Sequence, residues 1–268
     1  MQERLNAVFD VLLPSLVAIA AALLIGAVML LLLGANPLEG YAALLEGAFG
    51  STNALADTAV KATPLLLVAL GICIAFRANV INIGGEGQMI LGALSATALG
   101  LIFPGAPGWI IIPLALILGF LAGGVWGGIA GYLKARFNVN EILTTIMMNA
   151  IAVQLMNLLL RGPMIDTTQI GAARIPQTPR LADAFSLPRL VPTRLHLGTL
   201  IAIILAFLVY FFLWRTTIGY RIRAVGLNAH ASRYAGISVE RHMVLALLLS
   251  GAFSGLAGAV QVYGVNHL

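Results

Sequence analysis

Seven apolar runs dominate the chain, at 10–33, 54–76, 82–103, 108–132, 141–160, 197–214 and 243–263. Crossing roughly 30 Å of hydrocarbon takes about 20 helical residues, and each run is of that order. None alternates apolar with polar residues, as a barrel strand would, and in lipid each backbone polar group must be satisfied within the spanning element. The expected fold is therefore all-α: a polytopic transmembrane helix bundle of about seven spans, forming one domain over 1–268. Composition agrees. Charged residues are 9% of the chain and hydrophobic ones 60%, whereas soluble domains carry about 25% charged residues. Val11 to Leu33 exceeds the roughly 7–15 residues of a signal-peptide core and reads as a retained first span.

The net charge of +5 would point to nucleic acid in a soluble protein. Here the placement of Lys and Arg matters more, because these residues set topology, and no nucleic-acid partner is expected. With the N-terminus in the cytoplasm, nine basic residues fall inside: Arg4, Arg77, Lys134, Arg136, Arg215, Arg221, Arg223, Arg233 and Arg241. Six fall outside: Lys61, Arg161, Arg174, Arg180, Arg189 and Arg194. That orientation makes 161–196, rich in proline, a long external loop and 215–242 a cytoplasmic one.

Several chemistries lack their residues. There is no GxxxxGK[ST] loop to cradle a triphosphate, and no HExxH or GxSxG. The four histidines sit in different loops without metal-ligand spacing, and Cys73 stands alone in an apolar run. No enzyme, cofactor or metal site is expected.

Three stretches remain as candidates. In NVINIGGEGQ (Asn79–Gln88), glycines surround Glu86, with Asn82 and Gln88 alongside. Glycines allow a helix to break, and a broken helix frees backbone groups for a polar solute. The stretch is equally a cytoplasmic turn, with Glu86 opening the next helix near Arg77. In the fifth run, Glu141, Thr145 and Asn149 share a stripe at a spacing of four. A polar stripe in lipid must face protein or a water-filled path, so it either lines a pathway or bonds to neighbouring helices. The candidate pathway residues are Asn82, Glu86, Gln88, Thr145 and Asn149.

The third stretch is the basic loop. Gly226 and Gly236 bracket a segment in which Asn228 is a suitable N-cap and Gly236 a terminator. A short helix over Ala229–Ala235 follows, projecting Arg233 and Tyr234. Beyond these, Gly119, Gly123, Gly127 and Gly131 recur every fourth residue, with Gly124 and Gly128 beside them. Ser250, Ser254, Gly258 and Gly251, Gly255, Ala259 repeat the device. Small-residue faces let helices approach closely in membranes.

Four segments carry a resemblance: NIGGEGQMILGA (Asn82–Ala93), NVNEILTTIMMNAIA (Asn138–Ala152), RGPM (Arg161–Met164) and AVGLNAHASRYAGISVERHMVLALLLSGAFSGLAGA (Ala224–Ala259). Together they resemble permease subunits of bacterial ABC importers in the ribose, galactoside and branched-chain amino-acid superfamily. The nearest branch carries nucleosides and works with basic-membrane-protein-type lipoproteins. The resemblance implies a multi-pass protein of the bacterial cell (inner) membrane. Its implied partners are an ABC ATPase subunit, a second permease, an extracytoplasmic substrate-binding lipoprotein and the lipid bilayer. It also implies that Gly226, Asn228, Arg233, Tyr234, Gly236 and Ile237 belong to a coupling helix seated on the ATPase. Asn82–Gln88 and Asn138–Asn149 match positions near the family's translocation path. Family members continue past a seventh span, so the chain is expected to be C-terminally truncated. The expected function is nucleoside or simple-sugar import by alternating access. The alternative is a secondary transporter or channel without an ATPase.

Overall fold

The computed structural model describes residues 2–167 and 175–267, with side chains from Leu13 onward. Arg174 and the side chain of Arg4, both used above for orientation, lie outside the described residues. Ten α-helices are present among the described residues: α1 (Gln2–Leu32), α2 (Pro37–Phe49), α3 (Thr52–Arg77), α4 (Gly85–Ile102), α5 (Gly108–Phe137), α6 (Glu141–Arg161), α7 (Leu197–Arg215), α8 (Thr217–Leu227), α9 (Ala229–Tyr234) and α10 (Val239–Gln261). A single 3₁₀ turn, Asp183–Phe185, and a π-helical turn, Val262–Asn266, complete them. Six of the helices are long and apolar enough to cross a membrane. The seventh expected span, 82–103, is α4: its glycines and polar first turn leave 18 residues of helix, about 27 Å at 1.5 Å per residue.

The chain falls into two compact units, Met1–Thr58 and Ala59–Leu268. In the first, none of the residues in the apolar window of α1 is buried, as in a helix solvated by lipid. A second helix, α2, was not expected from the apolar runs, yet its start is locally encoded. Asn36 accepts the Leu38 N–H at 3.0 Å, Pro37 stands in the first turn and Glu39 follows it, the residue order that opens helices. The Tyr41 hydroxyl donates to the Leu23 carbonyl at 2.5 Å and lies against Gly26, where a Cβ would meet that oxygen at 2.7 Å.

The second unit is built around α10. Of the residues in the apolar window of this helix and its π-helical continuation, 72% are buried, against 22–33% in those of α3, α5, α6 and α7. The small-residue stripes explain the position. A Cβ on Gly123 would stand 2.4 Å from the Gly251 carbonyl oxygen, one on Gly255 2.2 Å from that of Gly119, and one on Gly127 2.5 Å from that of Leu247. On the other side of α10, a Cβ on Gly92 of α4 would meet the Gly255 carbonyl at 2.1 Å, and one on Gly258 the Met89 carbonyl at the same distance. The backbones of α4, α5 and α10 therefore touch. The stripes are thus sites of tight helix packing. The Thr63 and Thr199 hydroxyls share a hydrogen bond at 2.7 Å between α3 and α7.

Chain order puts the C-termini of α3, α5 and α7 at one end of this unit, with the N-termini of α4, α6 and α10. Arg77, Lys134, Arg136 and Arg215 make it the basic end, and Lys134 pairs with Glu141 there at 3.0 Å. The described part of 161–196 caps the other end. Leu181, Phe185 and Leu187 are buried, and the Leu181 and Leu187 N–H groups donate to the carbonyls of His267 (3.0 Å) and Tyr263 (2.8 Å).

Candidate functional site

The stretch before α4 is held by a closed set of side-chain amides. Asn82 Nδ2 donates to Gln88 Oε1 at 2.9 Å and to Ser250 Oγ at 2.7 Å. Its Oδ1 accepts from Gln88 Nε2 at 3.1 Å and from the Gly84 N–H at 2.9 Å. Two donor hydrogens and two lone pairs are thus all engaged. Asn149 of α6 treats the same turn as a neighbouring strand would. Its Oδ1 accepts the Gly87 N–H at 2.9 Å and its Nδ2 donates to the Ile83 carbonyl at 3.0 Å. The Ile83 N–H donates to Thr145 Oγ1 at 3.4 Å. An N-terminal helical turn leaves N–H groups without intrahelical partners, and here a helix 62 residues away supplies one of the acceptors. Gly87 has no room for a side chain, since a Cβ would lie 3.0 Å from Asn149 Cα.

Four of the five pathway candidates, Asn82, Gln88, Thr145 and Asn149, are therefore brought together, joined by Ser250. Asn82, Gln88 and Thr145 are buried and already satisfied. Glu86 stands apart: it is exposed in the first turn of α4, and the ion pairs among the described residues do not include it. Arg77 does not pair with it and instead lies over the Trp214 ring at 5.5 Å.

One turn further along α4, a cavity of about 300 Å³ opens between α4, α6, the far end of α10 and the segment around Gln177. Its polar lining is Thr97, Gln177, Thr178, Gln261 and Asn266; Met89, Met156 and Leu160 are among the apolar residues, and none of the lining residues is charged. The Thr178 hydroxyl is buried without a hydrogen-bond partner, a costly state for a polar group. Sequence reasoning missed this site. Gln177 and Thr178 lie in a segment with no periodic pattern, and Gln261 and Asn266 sit where the apolar run ends. Nearby, His196 is buried, and its Nδ1 accepts the Gly198 N–H at 3.2 Å. Burial, with His267 adding to it, holds His196 below the usual imidazole range.

At the basic end, α9 spans Ala229–Tyr234 with both ends capped. Asn228 Oδ1 accepts the Ala231 N–H at 3.0 Å. Gly236, at φ +78°, ends the helix: its N–H donates to the Arg233 carbonyl at 3.0 Å, and the Ile237 N–H to that of Ser232 at 2.9 Å. This paired closure is the Schellman arrangement. Tyr234 is 94% exposed, and Arg233 Nη2 donates to Glu240 Oε1 at 2.6 Å. One expectation needs correcting. Gly226 does not bracket α9 but lies inside α8, where a Cβ would stand 2.1 Å from the Arg77 carbonyl oxygen. It is a glycine because α8 presses on the end of α3, and the break between α8 and α9 falls at Asn228.

The sequence model of the permease component of the branched-chain amino acid transport system matches residues 54–267. The chain belongs to this permease family. Relatives of the permease include the guanosine ABC transporter permease protein NupP of Bacillus subtilis, 41% identical over 253 residues, which are 94% of the chain and 72% of that protein. The nucleoside ABC transporter permease protein NupB of Lactococcus lactis is 34% identical, over 97% of the chain and 72% of its own length. The glucose ABC transporter permease protein TsgB13 of Haloferax volcanii is also 34% identical, over 92% of the chain and 66% of its own length. The permease thus spans about two thirds to seven-tenths of these relatives. No solved structure matches it.

Proposed function

We propose that this permease is the membrane-spanning subunit of an ATP-driven importer that moves nucleosides by alternating access, and that 1–268 works as one permease domain. The observation that carries the substrate class is the cavity beside α4. Its lining is uncharged and divided between amide and hydroxyl side chains and apolar ones such as methionine and leucine. A nucleoside has the same division, with polar ribose hydroxyls and base edges and flat apolar base faces. NupP and NupB, a guanosine and a nucleoside transporter permease, support the same reading. Asn82, Gln88, Thr145 and Asn149 hold the turn beneath the cavity instead of contacting the solute, and the exposed Glu86 faces the basic end of the path.

The basic end is cytoplasmic in this reading. There α9, with Asn228, Arg233, Tyr234, Gly236 and Ile237, seats on a separate ABC ATPase subunit. Its exposed tyrosine and double capping suit a small rigid element that transmits motion. Gly226 joins in indirectly, by fixing α8 against α3. A substrate-binding lipoprotein delivers the nucleoside at the opposite end, over 161–196, and a second permease, identical or paralogous, completes the pathway in the bacterial inner membrane.

Vesicles holding the assembled transporter test the proposal with labelled nucleosides against ribose, galactose and leucine. ATP-dependent nucleoside accumulation is expected. Uptake that persists without ATP and collapses with an uncoupler would replace this reading with a secondary transporter, and preference for a sugar would overturn the substrate class.

A further inference from the structure

A second cleft, of about 280 Å³, opens at the basic end among α3, α7 and α8. Phe76, Arg77, Asn79, Trp214, Arg223 and Leu227 line it. The Arg223 guanidinium lies 4.1 Å from the centre of the Trp214 ring, and the Arg77 guanidinium 5.5 Å from it. Two cations held over one indole repel each other, and neither has a carboxylate partner among the described residues. The ion pairs there are Lys134–Glu141 and Arg233–Glu240. Arg223 Nε is also buried without a hydrogen-bond acceptor.

The cleft is built and not incidental, since the close approach of Gly226 to the Arg77 carbonyl fixes α8 against α3. The C-termini of α3 and α7 abut it, each worth about half a negative charge. Against two full guanidinium charges that leaves about one positive charge uncompensated. The remaining walls are apolar and exposed: Phe76 is 60% exposed and Leu227 88%. A soluble anion uses the charges and leaves those walls wet. A molecule with a phosphate at one end and hydrocarbon at the other uses both.

We propose that this cleft binds the phosphate headgroup of an anionic phospholipid in the leaflet at the basic end. Arg77 and Arg223 hold the phosphate oxygens, the Asn79 amide donates to the headgroup, and Phe76 and Leu227 lie along the first methylenes of the acyl chains. Guanidinium–phosphate contacts of this kind are charge-assisted and strong, and basic pockets between membrane helices suit such headgroups.

The test is a lipid titration of the full chain in non-ionic detergent, read by native mass spectrometry and by thermal unfolding. Dioleoylphosphatidylglycerol should bind and raise the unfolding temperature, while dioleoylphosphatidylcholine should do neither. The double variant R77Q/R223Q should bind phosphatidylglycerol at least about tenfold more weakly, as expected for losing charge-assisted bonds worth about 1.4 kcal/mol or more. Arg221→Gln removes the same charge from an exposed position on α8 outside the cleft and should bind as the parent does. If the double variant does not fold, Arg77→Gln, at an exposed helix end, carries the comparison. Undiminished binding by the arginine variants overturns the site. Equal weakening by Arg221→Gln reduces it to diffuse surface charge. Competition by glycerol phosphate at lipid-like concentrations makes it a soluble-anion site. Loss of ATPase binding in R77Q/R223Q with lipid binding unchanged assigns the cleft to a protein partner instead.

Discussion

Single side chains here act mostly by satisfying backbone that the helices cannot. Asn82 makes four hydrogen bonds to Gln88, Ser250 and the Gly84 N–H. Replacing it by alanine strands the buried Gln88 amide and should lower stability by about 1–3 kcal/mol, measurable as an earlier thermal transition in detergent. The glycine stripe gives a paired prediction. Gly123→Ala drives a methyl to 2.4 Å from the Gly251 carbonyl and should cost about 1–3 kcal/mol as overpacking. Gly128→Ala meets only the Leu248 side chain, at 3.5 Å and beyond, and should be near neutral. His196 predicts a pH dependence. Folding favours its neutral ring, so the imidazole pKa is lower folded than unfolded. The contribution is complete above the unfolded value near 6.5 and is lost as pH falls from there through the lower folded value. The unfolding temperature should drop on acidification below that point, and His196→Phe should flatten the drop.

At the scale of elements, α9 has short-range determinants, and they make a prediction. Gly236→Ala forces a side chain to φ +78° with no steric neighbour to blame, so its cost is conformational, about 1 kcal/mol. Asn228→Ala removes the N-cap for a similar amount. Either change should reduce nucleoside-stimulated ATP hydrolysis in the assembled transporter while membrane insertion continues, and unaltered stimulation in both would remove α9 from the coupling role. The same locality explains what was readable in advance. Caps, terminators and apolar runs lie within a few residues of what they control, so α9 and the long helices were legible. Glycine spacing also announced the face of α5 that meets α10. The partner of Asn82 was not legible, because Ser250 lies 168 residues on and nothing local couples the two. Nor was the inward packing of Leu181 and Phe185, which sit in a proline-rich segment that reads as loop. The start of α2 is written in Asn36 and Pro37, but its 13 residues are too few for a span, so no apolar run marks it.

For the whole molecule, the contacts among α4, α5 and α10 decide what can move. Helices that meet through side chains can slide by exchanging rotamers. Here carbonyl oxygens of one helix lie where another's Cβ atoms would be, and a slide of even a fraction of a turn makes backbone collide with backbone. The expectation can be tested by locking the seam. A Cβ at position 128 lies 3.7 Å from Leu248 Cβ, within the range of about 3.5–4.5 Å that a disulfide spans. With Cys73 replaced by serine, oxidising the pair G128C/L248C should leave nucleoside uptake unchanged. Uptake lost on oxidation and restored by reductant would show that α5 and α10 part during the cycle. The three helices behave as a single girder, and a girder cannot split along its own length to let a solute through. The opening and closing surfaces of a transport cycle must run along its flank, where the cavity between α4 and α6 already lies.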